Sequence, residues 1–163
     1  MLSSKKIVLV GHFGVGKSSL IRRFVKNTFS DDYLVTVGVH IVKKVVQIGN
    51  DEITLLIWDI EGKEDMQKLR PSFLLGTSGF IYVLDASRKS TYTNLAAEHA
   101  FINTNYPKTQ LVTVANKIDL VAKDWFENEV ATQQLAVDYF SSAKTGENVE
   151  AIFNRIATNF IKP

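Results

Sequence analysis

The chain contains no cysteine. Disulfides, thiolate metal centres and cysteine nucleophiles are excluded, and nothing in the composition asks for an oxidising compartment. Proline is scarce, with three in 163 residues, and no Pro/Gly-rich linker or low-complexity tract divides the chain. Neither sign of charge dominates. Nineteen Lys and Arg against 17 Asp and Glu leave a net +2, too balanced for a nucleic-acid footprint. Long apolar runs are missing as well. Ile7 to Val10 is too short for a signal peptide, and nothing approaches the ~18 consecutive apolar residues of a membrane span. Without cysteine the end, Asn159 to Pro163, offers no prenylation or palmitoylation site, and Leu2 excludes N-myristoylation. These absences predict a cytoplasmic chain with no direct membrane anchor and no nucleic-acid partner.

What is present fits one globular domain spanning residues 1–163. Hydrophobic residues make up 45% of the chain and charged residues 22%, near the globular average. Short apolar runs alternate with helical patterns. Strands are expected at Ile7–Val10, Ile53–Trp58, Phe80–Leu84, Leu111–Val114 and Leu135–Phe140, several of them apolar on both faces as buried parallel strands are. Val39–Ile48 is interrupted by Lys43, Lys44 and Gln47, and Gly49-Asn50-Asp51 joins it to the next run, so it reads as an edge strand of a hairpin. Val149, Ile152, Phe153, Ile156 and Phe160 form the apolar stripe of a last helix; Tyr92, Leu95, Ile102 and Tyr106 do so less cleanly. Asp124 with Glu127 marks a helix start near Trp125. The alternation predicts an α/β domain around a mostly parallel sheet.

Directly after the first strand stands Gly11-His12-Phe13-Gly14-Val15-Gly16-Lys17-Ser18, which fits G-x-x-x-x-G-K-[ST]. Glycines let successive backbone N–H groups turn toward a polyphosphate. Lys17 brings a cation to the β- and γ-phosphates, Ser18 a hard oxygen for Mg²⁺, and the helix that follows its positive dipole end. In Trp58-Asp59-Ile60-Glu61-Gly62, Asp59 ends a strand and can reach the metal through water, while the Gly62 N–H can meet the terminal phosphate. Taken alone, an Asp at a strand end is more simply a turn former. In Asn116-Lys117-Ile118-Asp119, a carboxylate can accept from guanine N1–H and the N2 amine, a donor pair that adenine lacks. Ser142-Ala143-Lys144 follows the last strand, where a backbone N–H can meet the guanine carbonyl.

On these motifs, residues 5 to 161 resemble the small GTP-binding proteins of the Ras superfamily, the Rab branch most closely. Further support comes from Phe24-Val25-Lys26-Asn27-Thr28-Phe29, from Asp32-Tyr33-Leu34-Val35-Thr36-Val37-Gly38-Val39, and from Ser142 to Phe153. The resemblance implies the small GTPase (P-loop NTPase) fold: a six-stranded, mostly parallel sheet with one antiparallel edge strand and helices on both faces. It implies GTP/GDP and Mg²⁺ as cofactors. Phosphate binding would fall to Gly11, Phe13, Gly14, Val15, Gly16, Lys17, Ser18 and Ser19, with Tyr33 as a lid, Thr36 and Gly62. Phe29, Asn116, Lys117, Asp119, Ser142, Ala143 and Lys144 would hold guanine and ribose. Ser18, Thr36 and, through water, Asp59 would hold the metal, and Lys17, Gly62 and position 63 would serve catalysis. Effectors, exchange factors and activating proteins would read residues 30–38 and 60–75, the loops ordered by the γ-phosphate.

Two positions depart from the pattern. The family's Asp-Thr-Ala-Gly-Gln-Glu is here Asp59-Ile60-Glu61-Gly62-Lys63-Glu64. A charged lysine has no acceptor with which to orient the attacking water. Either Lys63 is a solvated loop residue and hydrolysis is slow, or its ammonium reaches the γ-phosphate. Phe13 stands where relatives carry a small residue; it either obstructs a partner's arginine or packs over the phosphates. Both departures predict low intrinsic turnover. Glu61 is expected to pair with Lys63 or Lys68, and Arg70 is a weak candidate for an internal arginine. Arg22, Arg23 and Lys26 read as the wet side of the first helix. The function expected is a slow GTP-hydrolysing switch. The alternatives are a scaffold that holds GTP without hydrolysing it and, more distantly, a phosphate-loop kinase or ATPase.

Overall fold

The computed structural model describes residues 3–27, 38–60 and 65–162. Six strands form one sheet: β1 (Ser3–Val10), β2 (Val39–Ile48), β3 (Asp51–Ile60), β4 (Gly79–Asp85), β5 (Gln110–Asn116) and β6 (Tyr139–Phe140). Their order is β2-β3-β1-β4-β5-β6. β2 pairs antiparallel with β3 at the edge, and the other neighbours run parallel. The expected sheet, with its single antiparallel edge strand, is what forms.

Helices α1 (Lys17–Lys26) and α5 (Val149–Ile161) cover one face; α2 (Pro71–Leu74), α3 (Leu95–Asn105) and α4 (Lys123–Gln133) lie over the other. β1 shows why its sequence is apolar without alternation. Ile7 and Leu9 join the core under α1 and α5, while Val8 and Val10 join the core under α3 and α4. The α5 stripe is buried as its spacing predicts, and Phe153 stacks on Phe24 of α1 with ring centres 4.1 Å apart.

Three local expectations need correction. The last strand is two residues long, not six. Asp138 meets β5 through its own side chain: its Oδ2 accepts from the Thr113 N–H at 2.8 Å while its N–H donates to the Thr113 carbonyl. The residues before it close the end of α4, where the Leu135 N–H donates to the Val130 carbonyl. Around Trp125 the helix begins at Lys123, and Asp124 lies in its first turn, helping through the dipole and not as a cap. The middle helix covers only residues 95–105; Tyr92 and Tyr106 flank it and still pack in the same core.

This topology locates a site. β1 lies between β3 and β4, and the connections leaving β1 and β4 pass to opposite faces. The loops at the carboxyl ends of β1, β3, β4 and β5 therefore part around a crevice, where ligands of open α/β sheets bind.

Candidate nucleotide-binding site

The loop from Gly11 to Gly16 joins β1 to α1 at that crevice, and glycine is required at both of its ends. Gly11 has φ +141°, and a Cβ there would lie 2.1 Å from the Val83 carbonyl oxygen. Gly16 has φ +103°, and a Cβ would lie 2.2 Å from Asn116 Nδ2. Both clashes fall on groups the core holds in place, so the loop can be drawn this tightly only with glycine.

The carbonyls of five successive residues, 11 to 15, are each held by a side chain. Lys17 Nζ donates to the Gly11 and His12 oxygens at 3.3 Å each. Arg88 Nη2 donates to the Phe13 oxygen at 2.8 Å, Lys117 Nζ to Gly14 at 2.7 Å, and Asn116 Nδ2 to Val15 at 3.0 Å. A peptide whose carbonyl is held on one side presents its N–H on the other. The loop is thereby shaped as a concave anion receptor with three cations around its rim.

Lys17 is buried, 6% exposed. Burial lowers its pKa to about 8, against the opposing influence of Asp59. A polyphosphate would restore the ammonium's preference for its charged form. Ser18 Oγ donates to Asp59 Oδ2, which brings two hard oxygen groups from α1 and β3 to one point. These donors suit a small divalent cation such as Mg²⁺, with the carboxylate acting directly or through water.

On the far side of the loop, Asn116 is 1% exposed and bonded through both Nδ2 and Oδ1. Besides its bond to Val15, its Oδ1 accepts from Ser141 Oγ at 3.1 Å and the Ala143 N–H at 3.2 Å. It therefore ties the loops after β1, β5 and β6 together. Lys117 has left-handed φ +63°. Asp119 Oδ1 accepts from Ser142 Oγ at 2.7 Å and remains exposed, so its carboxylate can face a base.

The fold thus brings together Lys17, Ser18 and Asp59, and beside them Asn116, Lys117, Asp119, Ser142 and Ala143. Phe29, Tyr33, Thr36, Glu61, Gly62 and Lys63 lie outside the described residues, as does most of the 30–38 loop. Of 60–75, the part that is described is anchored from two sides. Glu98 Oε2 accepts the Met66 N–H at 2.8 Å, and Lys6 Nζ donates to the Phe73 and Leu75 carbonyls at 2.6 and 2.8 Å.

Four contributors escaped the sequence reading. Asp85 ends β4 and Asp59 lies one residue before the end of β3, the same signal, and the Asp85 Oδ2 lies 3.1 Å from Lys117 Nζ. Arg88 had no sequence signal. Arg23 is not on a solvated face: its Nε donates to the Ala143 carbonyl at 2.8 Å and its Nη2 to the Lys144 carbonyl at 2.5 Å, bracing the Ser142–Lys144 motif from α1. Glu98 is a buried carboxylate on α3, and no motif marks it. Arg70, the candidate internal arginine, lies 5.7 Å from the Phe73 ring, on an exposed part of the chain. Among the described residues no cluster of three His, Cys, Asp or Glu could hold a further metal.

Comparison with known proteins agrees with this geometry. A family model described as Ras family matches residues 6–162. The chain is similar to the Ras-related protein Rab-18-B of Danio rerio, 32% identical over 167 residues that cover 99% of this chain and 82% of that protein. It is also similar to the Ras-related protein SEC4 of Saccharomyces cerevisiae, 33% identical over 161 residues covering 95% and 74%.

Proposed function

We propose, from the premise that this chain belongs to the Ras family, a division of labour among its own residues. As a member of that family it is a guanine-nucleotide-binding molecular switch that binds GTP and GDP with Mg²⁺ and hydrolyses GTP. Family members work with effectors, exchange factors and activating proteins. No helix among the described residues is long and apolar enough to cross a membrane.

The residues fit both groups. The held carbonyls of residues 11–15 create the anion cradle, and the Ser18–Asp59 pair offers the hard oxygens a magnesium ion takes. When bound, Mg²⁺ neutralises charge on the terminal phosphates. In the proposed arrangement Lys17 lies beneath the polyphosphate and keeps its proton there, and the amides of Gly14 to Ser19 receive its oxygens. Lys117 flanks the loop at Gly14. Asp119 selects guanine through N1–H and N2, and the Ala143 N–H is presented to the base carbonyl. Thr36 and Gly62 report the γ-phosphate, Tyr33 covers it, and Phe29 borders the base. Partners read residues 30–38 and 60–75, and the protein acts as a monomer.

We place the chain among slow hydrolysing switches, not among permanently loaded scaffolds. The observation that supports the nucleotide site under either reading is the complete set of donors on the five carbonyls, together with intact Ser18 and Asp59. A low rate is expected because Lys63 has no acceptor for the attacking water. The test is equilibrium binding of GTP, GDP and ATP, each with Mg²⁺ and after chelation. The expected result is at least a thousandfold preference for GTP over ATP and weaker GDP binding after chelation. ATP competing at similar concentration would overturn the assignment.

A further inference from the structure

We propose that Asn94 is a positioning residue that ties the phosphate loop to the chain just beyond Gly62, and so sets how strongly residues 60–75 respond to the γ-phosphate. This rests on the reading of Gly11–Ser18 as the phosphate site and of residues 60–75 as a loop that reports the γ-phosphate.

Asn94 stands at the N-cap of α3, where an asparagine side chain ordinarily accepts an N–H of the first turn. It makes no such bond. Its two ends reach elsewhere. His12 Nε2 lies 3.0 Å from Asn94 Oδ1, and Asn94 Nδ2 donates to Asp65 Oδ1 at 3.4 Å. The chemistry of the partners fixes the direction. A carboxylate only accepts, so the amide nitrogen faces Asp65. The amide oxygen is left for His12, which must then carry its proton on Nε2. One line of donors therefore runs from the phosphate loop through α3 to Asp65, which opens the 3₁₀ turn Met66–Lys68.

Each end of this line is itself fixed. The His12 carbonyl accepts from Lys17 Nζ at 3.3 Å, so the residue whose ring meets Asn94 is held by the buried cation of the loop. At the other end Glu98, one helical turn after Asn94 and on the same face, accepts the Met66 N–H at 2.8 Å. Asp65 and Met66 are thus gripped side by side from α3. Loop and turn also border one narrow cavity, whose lining includes Gly11, Asp65, Met66, Leu69 and Glu98. Between them the connection runs through hydrogen bonds and not through close packing alone.

Asp65 follows position 63 by two residues, a span of at most about 7 Å. Where Asp65 is held therefore limits where the residues that meet the γ-phosphate can reach. Of the three side-chain bonds the one from Asn94 to Asp65 is the longest, so it is the link that yields first when the turn moves. By drawing the turn toward the phosphate loop, it favours the arrangement in which position 62 can meet the terminal phosphate. A nucleotide with a γ-phosphate gains from that bias and GDP does not. Asn94 acts through His12 and Asp65, not on the phosphate itself.

The experiment measures the affinity of the purified chain for GDP and for a non-hydrolysable GTP analogue, each with Mg²⁺, and the hydrogen exchange of the Met66 to Leu69 amides in both complexes. Asn94→Asp keeps the shape, the acceptor for His12 and a good N-cap residue, but sets a carboxylate against Asp65. Asn94→Ala removes both bonds without adding charge. In each variant analogue affinity should fall about tenfold, the scale of one lost hydrogen bond, while GDP affinity stays within about threefold of wild type. Exchange at Met66 to Leu69 should quicken in the analogue complex and stay unchanged with GDP. Adding Asp65→Asn to Asn94→Asp reverses donor and acceptor at the pair and should recover about threefold of the lost analogue affinity.

Equal losses for both nucleotides would overturn the proposal and make Asn94 a scaffold residue. An unchanged ratio of the two affinities would overturn it too, as would a double variant that recovers nothing. A wild-type chain that binds GDP but exchanges Met66 to Leu69 alike with either nucleotide would refute the reading of the 60–75 loop. One that binds no GDP would refute the nucleotide site. In both of these cases the proposal falls with its premise.

Discussion

Lys117 and Asp85 form an ion pair of 3.1 Å between the ends of neighbouring strands, and the same ammonium donates to the Gly14 carbonyl at 2.7 Å. Asp85 is almost wholly buried and Lys117 about one-third exposed. A carboxylate outside every nucleotide motif thus aims the lysine of the Asn116–Asp119 motif at the phosphate loop.

Replacing Asp85 with Asn keeps the shape and an acceptor for Ser87 but removes the charge that holds Lys117. GDP release should quicken about tenfold, equivalent to about 1.4 kcal/mol. Stopped-flow displacement of a fluorescent GDP checks this. An unchanged release rate would mean that Gly14 alone fixes the lysine.

Gly16→Ala should be far more damaging than its one added carbon suggests. The new methyl meets the Asn116 amide at 2.2 Å, and the backbone there is left-handed. Because Asn116 joins three loops, the push spreads to the base pocket. Binding of GDP should fall at least a hundredfold, with a stability loss of roughly 2 kcal/mol or more. Titration calorimetry and thermal unfolding together measure both.

Glu98 gives the fold a pH dependence with a definite sign. Burial raises its pKa, the Met66 N–H opposes that rise, and nearby Asp65 adds to it. A carboxyl whose folded pKa lies above its unfolded value favours folding when protonated. Its contribution is present in full below the unfolded pKa, about 4.3, and is lost as pH rises through the folded value. Glu98→Gln can still accept the Met66 N–H and carries no charge. Its Tm should exceed that of wild type at pH 7.5, and the gap should close toward pH 4. A variant less stable at pH 7.5 would show that the charged form is the one the fold prefers.

Lys63→Gln restores an acceptor for the attacking water. Hydrolysis should rise about tenfold, less than the roughly 10²–10⁴-fold of a group that itself transfers the proton, because the glutamine only orients the water. A fall would show that the lysine ammonium is itself catalytic.

The fold was legible because its signals are local. Strands buried on both faces must be apolar throughout, and the interrupted run with Lys43, Lys44 and Gln47 could lie only at an edge. The phosphate loop and the guanine motifs were legible because polyphosphate and guanine each demand particular atoms at fixed spacing. Arg23, Asp85, Arg88 and Glu98 were not. Their contacts at the site join residues between 32 and 121 positions apart in the chain and depend on strand order, which no local pattern records. The overlong last strand has the same origin: Leu135 and Val137 are apolar because they pack beside α4 and β5, not because they continue the sheet.

The central claim is that this chain binds GTP and resets itself, slowly, with its own residues. Single-turnover hydrolysis by the isolated protein, loaded with GTP and Mg²⁺ and followed over many hours, tests it most directly. The account predicts steady GDP formation on the order of 10⁻⁴ per second, the intrinsic scale of unaided small GTPases. GTP that stays bound and intact over the same period would contradict it, and would make the protein a loaded scaffold whose reset, if any, comes wholly from a partner.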